Sequence, residues 1–203
     1  MPAAVAVKPA DPKIKGIALE GFLDWYARNE GAGRLRAVLE ALPESQRSAF
    51  TLDDRNFGIL ASGWYDASLV HAIIEGVIAG LDESARSKLA VRGAEAIVRS
   101  NLRGIYKVLF RLFMTPERYA QRAQALWDRY YDAGIVEKKV ESATRHTASI
   151  RDWTSHHPIL CEMNAEAGRI IYEELGCKNV RSHRTQCVAQ GHAVCSQVVT
   201  WDP

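Results

Sequence analysis

The sequence lacks most of the signatures that would name an activity. No stretch approaches the roughly 20 apolar residues that span a bilayer, and residues 1–15 hold no apolar run ahead of a cleavage site. A phosphate-binding loop, a dinucleotide fingerprint, a zinc-hydrolase helix and a glycine-flanked nucleophile are also missing. We therefore expect a cytoplasmic protein with no membrane partner, and a binding module rather than an enzyme.

A strong charge bias is absent as well. The 203 residues carry 26 Lys and Arg against 24 Asp and Glu, for a net charge of +2, so the composition does not argue for nucleic acid as a partner. Cysteine is missing from the first 160 residues, and all four cysteines follow: Cys161, Cys177, Cys187 and Cys195. In a reducing cytoplasm such cysteines are thiols or metal ligands rather than disulfides.

The pattern of apolar residues predicts one domain of the α+β class. Residues 1–13 contain three prolines and predict a disordered tail, and residues 14–203 predict a single domain. Apolar residues recur at helical spacing through residues 14–134. Alternation and turn signals then predict a ββαββ order over residues 135–203. We expect a helical N-terminal half packed on a small antiparallel sheet.

Four basic residues repeat every four positions on a helix predicted over residues 97–113. They therefore share one helix face, and they are Arg99, Arg103, Lys107 and Arg111. This basic stripe predicts a docking site for a partner protein. The alternative is an ordinary solvated helix face.

Aromatic and histidine residues are expected where the helical half meets the sheet. They are Trp127, Tyr130, Trp153, His156 and His157. An apolar wall with a few polar groups is typical of a small-molecule pocket, and a histidine pair at a helix start can donate to a ligand or titrate near neutrality. Ordinary core packing is the alternative, above all for the tryptophans. We predict that these five residues bind a small hydrophobic ligand.

The C-terminal cysteines carry a resemblance to a known family. Cys161 on a helix, followed by Cys187 and Cys195 in a hairpin, resembles the 4-vinyl-reductase-type small-molecule-binding domains, including the sensor domains of phenol-sensing bacterial activators. Three cysteines and a glutamate hold zinc in those sensors, so the resemblance implies zinc at these three cysteines. Arg184 stands at the glutamate position, and we take Cys177 or water as the fourth ligand. Otherwise the cysteines are small buried side chains.

The first half resembles the haem-NO-binding type of fold. The resemblance rests on Lys15-Gly16 at a helix start, the Trp64-Tyr65 junction and Met114-Thr115-Pro116. Haem-binding members ligate iron through a histidine ahead of the last of these, whereas residues 101–113 contain none, so we do not expect haem. The chain is also similar to an uncharacterised family of myxobacterial proteins, for which no activity is implied.

Together these features predict a non-catalytic small-molecule-binding or signalling module that forms a homodimer and acts through a partner protein. Fold alone does not decide function, and two alternatives stay open. One is an enzyme or enzyme accessory that acts on a hydrophobic or tetrapyrrole substrate. The other is a protein-interaction scaffold that uses the basic stripe.

Overall fold

A helical half comes first in the chain. The computed structural model describes residues 11–203. Its helices in this half are α1 Gly16–Tyr26, α2 Ala32–Glu40, α3 Glu44–Arg47, α4 Ala67–Ile78, α5 Glu83–Asn101, α6 Gly104–Phe113, α7 Pro116–Gln121 and α8 Ala123–Trp127. The start of α7 follows the sequence signal, because the Thr115 hydroxyl accepts from the Arg118 amide and Pro116 occupies the first turn.

The second half has the predicted ββαββ order. Its elements are β3 Ile135–Ser142, β4 Arg145–Arg151, α9 Pro158–Glu174, β5 Lys178–Gln186 and β6 Cys195–Asp202. The strands form one antiparallel sheet in the order β3-β4-β6-β5. A helical half with a small antiparallel sheet confirms the α+β class.

The connection between β5 and β6 is longer than predicted. The sequence predicts a three-residue loop at Gly191, but regular pairing stops at Gln186 and resumes at Cys195. Gly191 does adopt the left-handed conformation, with φ of 90°. Gln186 pairs with Ser196, so Cys187 and Cys195 face each other just beyond the last pair.

The helix predicted over residues 97–113 is in fact two helices. α5 ends at Asn101, Arg103 is extended, and Gly104 has φ of +54°. A side chain at such a φ is strained, so glycine permits the change of direction here. The four residues of the basic stripe therefore do not lie on one helix face, which corrects that prediction.

The N-terminal end of the described chain is tied to the fold. β1 (Lys13–Lys15) pairs antiparallel with β2 (Trp64–Asp66), and the Lys13 amide donates to the Asp132 carboxylate over 2.7 Å. Residues 1–10 of the predicted tail lie outside the described residues, whereas Lys13 is a strand residue rather than part of a tail. Among residues 11–203, no helix has the length and apolar character needed to cross a membrane.

The core joins the two halves through α5 and α9. Gly93 of α5 lies where a Cβ would come within 3.0 Å of Phe22 and 3.1 Å of Met163. This lack of a side chain lets α1, α5 and α9 approach closely. Apolar residues of α4 complete the same cluster, and the space left between this cluster and the sheet contains the candidate site.

Candidate functional site

A large cavity lies between the helical half and the sheet. Its volume is about 360 Å³, which is the size class of ligand and cofactor pockets. Most of its wall is apolar. Its helical side includes Ala18, Phe22, Ile97, Met163 and Ala167, and its sheet side includes Val136, Ala148 and Ile150. A ligand here would touch both halves of the domain at once.

The five predicted ligand residues divide between two cavities. Trp127 and Tyr130 line the large cavity. Trp153, His156 and His157 line a smaller cavity of about 50 Å³, which Trp127 also borders. The structure therefore places two of the five residues in the wall of the large cavity and the other three in the wall of the smaller cavity.

An aromatic cluster separates the two cavities. The rings of Trp127 and Tyr131 are stacked with centroids 3.8 Å apart, and Trp153 meets both rings edge-on. The polar ends are satisfied, since Trp127 Nε1 donates to the Ala133 carbonyl and the Tyr131 hydroxyl to Asn164 Oδ1. Burial raises the pKa of Tyr131 to about 12. The cluster is hydrogen-bonded at its polar ends and stays neutral at ordinary pH.

His157 is held by structural contacts. Its Nδ1 accepts from the Ile159 amide at the start of α9, and its Nε2 lies 2.8 Å from the Glu75 carboxylate. The ring also packs against His71, with centroids 5.1 Å apart. Burial lowers the pKa of His71, and the neighbouring His157 adds to the effect. These contacts make His157 an N-cap that also joins α9 to α4.

A candidate metal centre forms where His156, Cys161 and Cys195 meet. The two sulfurs are 3.7 Å apart, and the imidazole Nδ1 of His156 lies 3.5 Å from the Cys161 sulfur and 3.4 Å from the Cys195 sulfur. An ion with thiolate bonds of about 2.3 Å and an imidazole bond of about 2.0 Å separates tetrahedral ligands by about 3.8 Å (S–S) and about 3.5 Å (S–N). The three atoms therefore have the spacing of tetrahedral metal ligands.

The other predicted ligands differ in position. Cys187 is fully buried and close enough to influence the pKa of both thiols. Cys177 packs instead in a second apolar cluster with Tyr119 and Tyr172, and it is not part of the His156–Cys161–Cys195 group. The structure thus brings His156 to the cysteines in place of Cys177. No sequence spacing signals this, since His156 precedes α9 and Cys195 begins β6.

The thiols of Cys161 and Cys195 have opposite pKa shifts, and an arginine lines the cavity beside them. The hydrogen bond from Cys161 lowers the pKa of Cys195, and the same contact raises that of Cys161. Arg184 lines the same small cavity and has a buried guanidinium nitrogen without a hydrogen-bond partner. Two thiolates neutralise one divalent ion, and a third thiolate from Cys187 would bring the net charge to about −1, which a nearby arginine would balance.

Glu174 draws together three residues of the predicted basic stripe. Its buried carboxylate lies 2.7 Å from Lys107, 3.4 Å from Arg111 and 4.0 Å from Arg99. Sequence reasoning missed this acid at the end of α9. Arg103 is exposed in the break between α5 and α6. Three of the four cations thus share one internal carboxylate while staying partly exposed, and their role in binding a partner stays a prediction.

Lys138 is the second residue that sequence reasoning missed. It lies on β3 and lines the large cavity, and burial lowers its pKa to about 8. The sequence pattern could have indicated this position, because Val136, Lys138 and Val140 alternate along one strand and therefore share a face of the sheet. A lysine that alternates with valines on one strand face indicates a partly buried charge.

Comparison with known proteins identifies the fold. Neither a protein-family model nor a curated protein matches the chain. An H-NOX protein from S. oneidensis in the Fe(II)NO ligation state has a TM-score of 0.68 at 12% identity, covering 94% of this chain and 100% of that chain. Fe(II) unliganded H-NOX from K. algicida has a TM-score of 0.65 at 14% identity, covering 94% and 97%. At these identities the likeness shows that this chain has the H-NOX fold.

These neighbours confirm one prediction and overturn another. The predicted resemblance to the haem-NO-binding fold is confirmed, while the likeness to 4-vinyl-reductase and phenol-sensor domains stays a prediction. The prediction on cofactors, which did not expect haem, is contradicted. The similar structures include Fe(II) proteins and one described as modulating heme redox potential through porphyrin distortion, with a TM-score of 0.63 at 7% identity.

The large cavity offers a defined set of groups to a haem. Its described lining contains no histidine and no cysteine. The lining side chains with lone pairs that can bind iron are Tyr119, Tyr130, Tyr131, Met163 and Lys138. The apolar wall would suit a haem, and the groups that could hold its iron would be these five side chains rather than a histidine.

Proposed function

We propose that this chain is a non-catalytic small-molecule sensor whose ligand occupies the large cavity. The observation that supports it most is the cavity of about 360 Å³, with apolar walls from both halves of the domain. A ligand that contacts α1, α5 and the sheet together biases how the halves pack, which is the requirement for a sensor. An output through a partner protein and a cytoplasmic location are part of the proposal.

Occupancy of the cavity is tested by recovering what it holds. Purified protein is denatured, extracted into organic solvent and analysed by mass spectrometry, and haemin is titrated in while the Soret band is followed. Ala167→Phe fills the cavity and should abolish both signals, whereas Ala125→Phe, on an exposed part of α8, should leave them unchanged. Equal ligand recovery from both variants would reject the cavity as the binding site.

We further propose that His156, Cys161, Cys195 and Cys187 hold one metal ion that ties α9 to the β5–β6 connection. The supporting observation is the tetrahedral spacing of the first three ligand atoms, with buried Cys187 adjacent. Thiolate and imidazole are donors that borderline transition metals favour. A closed four-ligand set of this kind acts structurally rather than catalytically.

Elemental analysis of the purified protein tests the metal centre. We expect about one metal ion per chain, and loss of the ion in Cys195→Ser and His156→Ala. Cys177→Ser is the matched control, because Cys177 lies in a separate cluster, and it should retain the metal. A metal-free wild type, or full metal content in His156→Ala, would reject this ligand set.

We also propose that the chain forms a homodimer through α6. Six apolar side chains of this helix are 41% to 71% exposed: Ile105, Tyr106, Val108, Leu109, Leu112 and Phe113. They form an apolar surface of roughly 600 to 700 Å², more than most monomers present. Two such faces would bury about 1,300 Å², which is enough for a specific interface.

Light scattering after gel filtration tests the dimer. The wild type should elute as a dimer, and Leu112→Glu should convert it to a monomer because a charge would be buried in the interface. Ala125→Glu places the same charge on an exposed position outside α6 and should leave the dimer intact. A wild type that is monomeric at about 100 µM would reject the interface.

A further inference from the structure

The wall of the large cavity is positively charged. Two cations line it, Lys138 and Arg129, and its described lining contains no aspartate or glutamate. Arg129 is exposed, so it lies at the rim, whereas Lys138 extends from the sheet into the interior. An otherwise apolar cavity with cations and no acid favours an anionic ligand.

Lys138 has no carboxylate partner within residues 11–203. Its ammonium lies 4.7 Å from the ring centroid of Tyr119 and 5.4 Å from that of Tyr172, and no salt bridge or hydrogen bond to it is found in this part of the chain. Two tyrosine faces compensate only part of the lost hydration. Lys138 is half-buried, and a cation partly withdrawn from water is stabilised by an acid that pairs with it, so an anion would complete this position.

Among residues 11–203 no acid forms a salt bridge with Lys138. Glu117 lies near enough to Tyr172 and His146 to influence their pKa, but it is exposed on α7 and does not bond to the ammonium. The tyrosines beside it stay neutral, because burial raises the pKa of both Tyr119 and Tyr172. The amide side chains of the cavity lining, those of Asn101, Asn164 and Gln197, are uncharged. An incoming ligand is therefore the remaining source of negative charge for this ammonium.

We propose that the ligand is an amphipathic carboxylic acid whose apolar body fills the cavity and whose carboxylate pairs with Lys138. This inference rests on the proposed function of the cavity and narrows it to a ligand class. Fatty acids and tetrapyrroles with propionate groups share this chemistry. For a ligand with two acidic groups, Arg129 at the rim supplies a second cation.

Matched acids and neutral analogues test the pairing. Quenching of tryptophan fluorescence, with Trp127 in the cavity wall, is followed on adding hexadecanoic acid, hexadecanol, protoporphyrin IX or its dimethyl ester. We expect the wild type to prefer each acid over its neutral analogue by roughly 10- to 100-fold, the contribution of one charge-assisted hydrogen bond. The two pairs of probes distinguish a fatty acid from a tetrapyrrole.

Variants of Lys138 separate the pairing from the cavity itself. Lys138→Met should abolish the preference for the acid while retaining binding of the neutral analogue, and Lys138→Arg should keep the preference. Lys139→Met removes an exposed neighbouring charge on the same strand and should change nothing. Equal affinity for acid and neutral analogue in the wild type, or an unchanged preference in Lys138→Met, would overturn the inference and leave the cavity proposal standing. Failure of all four probes to bind would also overturn the inference, and ligand recovery from Ala167→Phe and Ala125→Phe then decides the cavity proposal.

Discussion

Replacing Lys138 by methionine should stabilise the ligand-free protein. Burial lowers the pKa of Lys138 from 10.5 to about 8, and each pKa unit corresponds to about 1.4 kcal/mol. The charged form therefore destabilises the folded state by about 3 kcal/mol at neutral pH. Loss of the contacts with the Tyr119 and Tyr172 faces offsets part of this. We expect Lys138→Met to raise the free energy of unfolding by about 1 to 3 kcal/mol.

The pH dependence of this effect has a definite sign. Below about pH 8 both folded and unfolded chains carry the charge, and the full destabilisation by Lys138 is present. Between about pH 8 and pH 10.5 the unfolded chain binds the proton and the folded chain does not, so stability rises with pH. The difference between wild type and Lys138→Met should therefore fall by about 2 kcal/mol between pH 7 and about pH 9.5.

Urea denaturation of ligand-free protein at the two pH values measures this. Lys139→Met serves as the control, because Lys139 is exposed on the same strand, and its unfolding free energy should match the wild type within about 0.5 kcal/mol. A Lys138→Met protein less stable than the wild type at pH 7, or a difference that does not change with pH, would refute the argument that this lysine is a buried unpaired charge.

Three further substitutions test contacts around the site, each by urea denaturation or hydrogen exchange. His157→Ala removes the cap of α9 and the contact with Glu75, and should lower the free energy of unfolding by about 1 to 2 kcal/mol. An unchanged free energy of unfolding would show that the cap does not stabilise α9. Gly134→Ala should cost more than about 1 kcal/mol, because Gly134 has φ of +96° and a Cβ would come within 3.1 Å of Trp127. Glu174→Gln should leave Lys107 and Arg111 without their anion and increase amide exchange in α6; unchanged exchange there would show that α6 is held otherwise.

The regular elements of the second half were predictable because their signals are local. The ββαββ order over residues 135–203 depends on alternation and turn signals, each of which involves only a few neighbouring residues. The helix break at Arg103 was missed, since continuous apolar periodicity hides a change of direction that Gly104 permits. Apolar spacing reports the faces of helices but not where one helix stops and the next begins.

The candidate sites were predictable only in part. Three cysteines indicated a soft-metal site, but the fold selects His156 rather than Cys177 to stand beside them. Two of the five predicted ligand residues, Trp127 and Tyr130, line the large cavity. Lys138 was visible as an inward position on β3, yet nothing local shows that it lacks an acid partner.

The fold class, the ββαββ order and the residue types available for chemistry follow from the amino-acid sequence. Which of those residues meet depends on tertiary packing, because α9 and the sheet bring His156 and Cys195 together, and Glu174 reaches α6 through the packing of α9. Secondary structure follows from periodicity over a few residues. Contacts across the fold depend instead on how whole elements pack, and no short stretch of sequence encodes that arrangement.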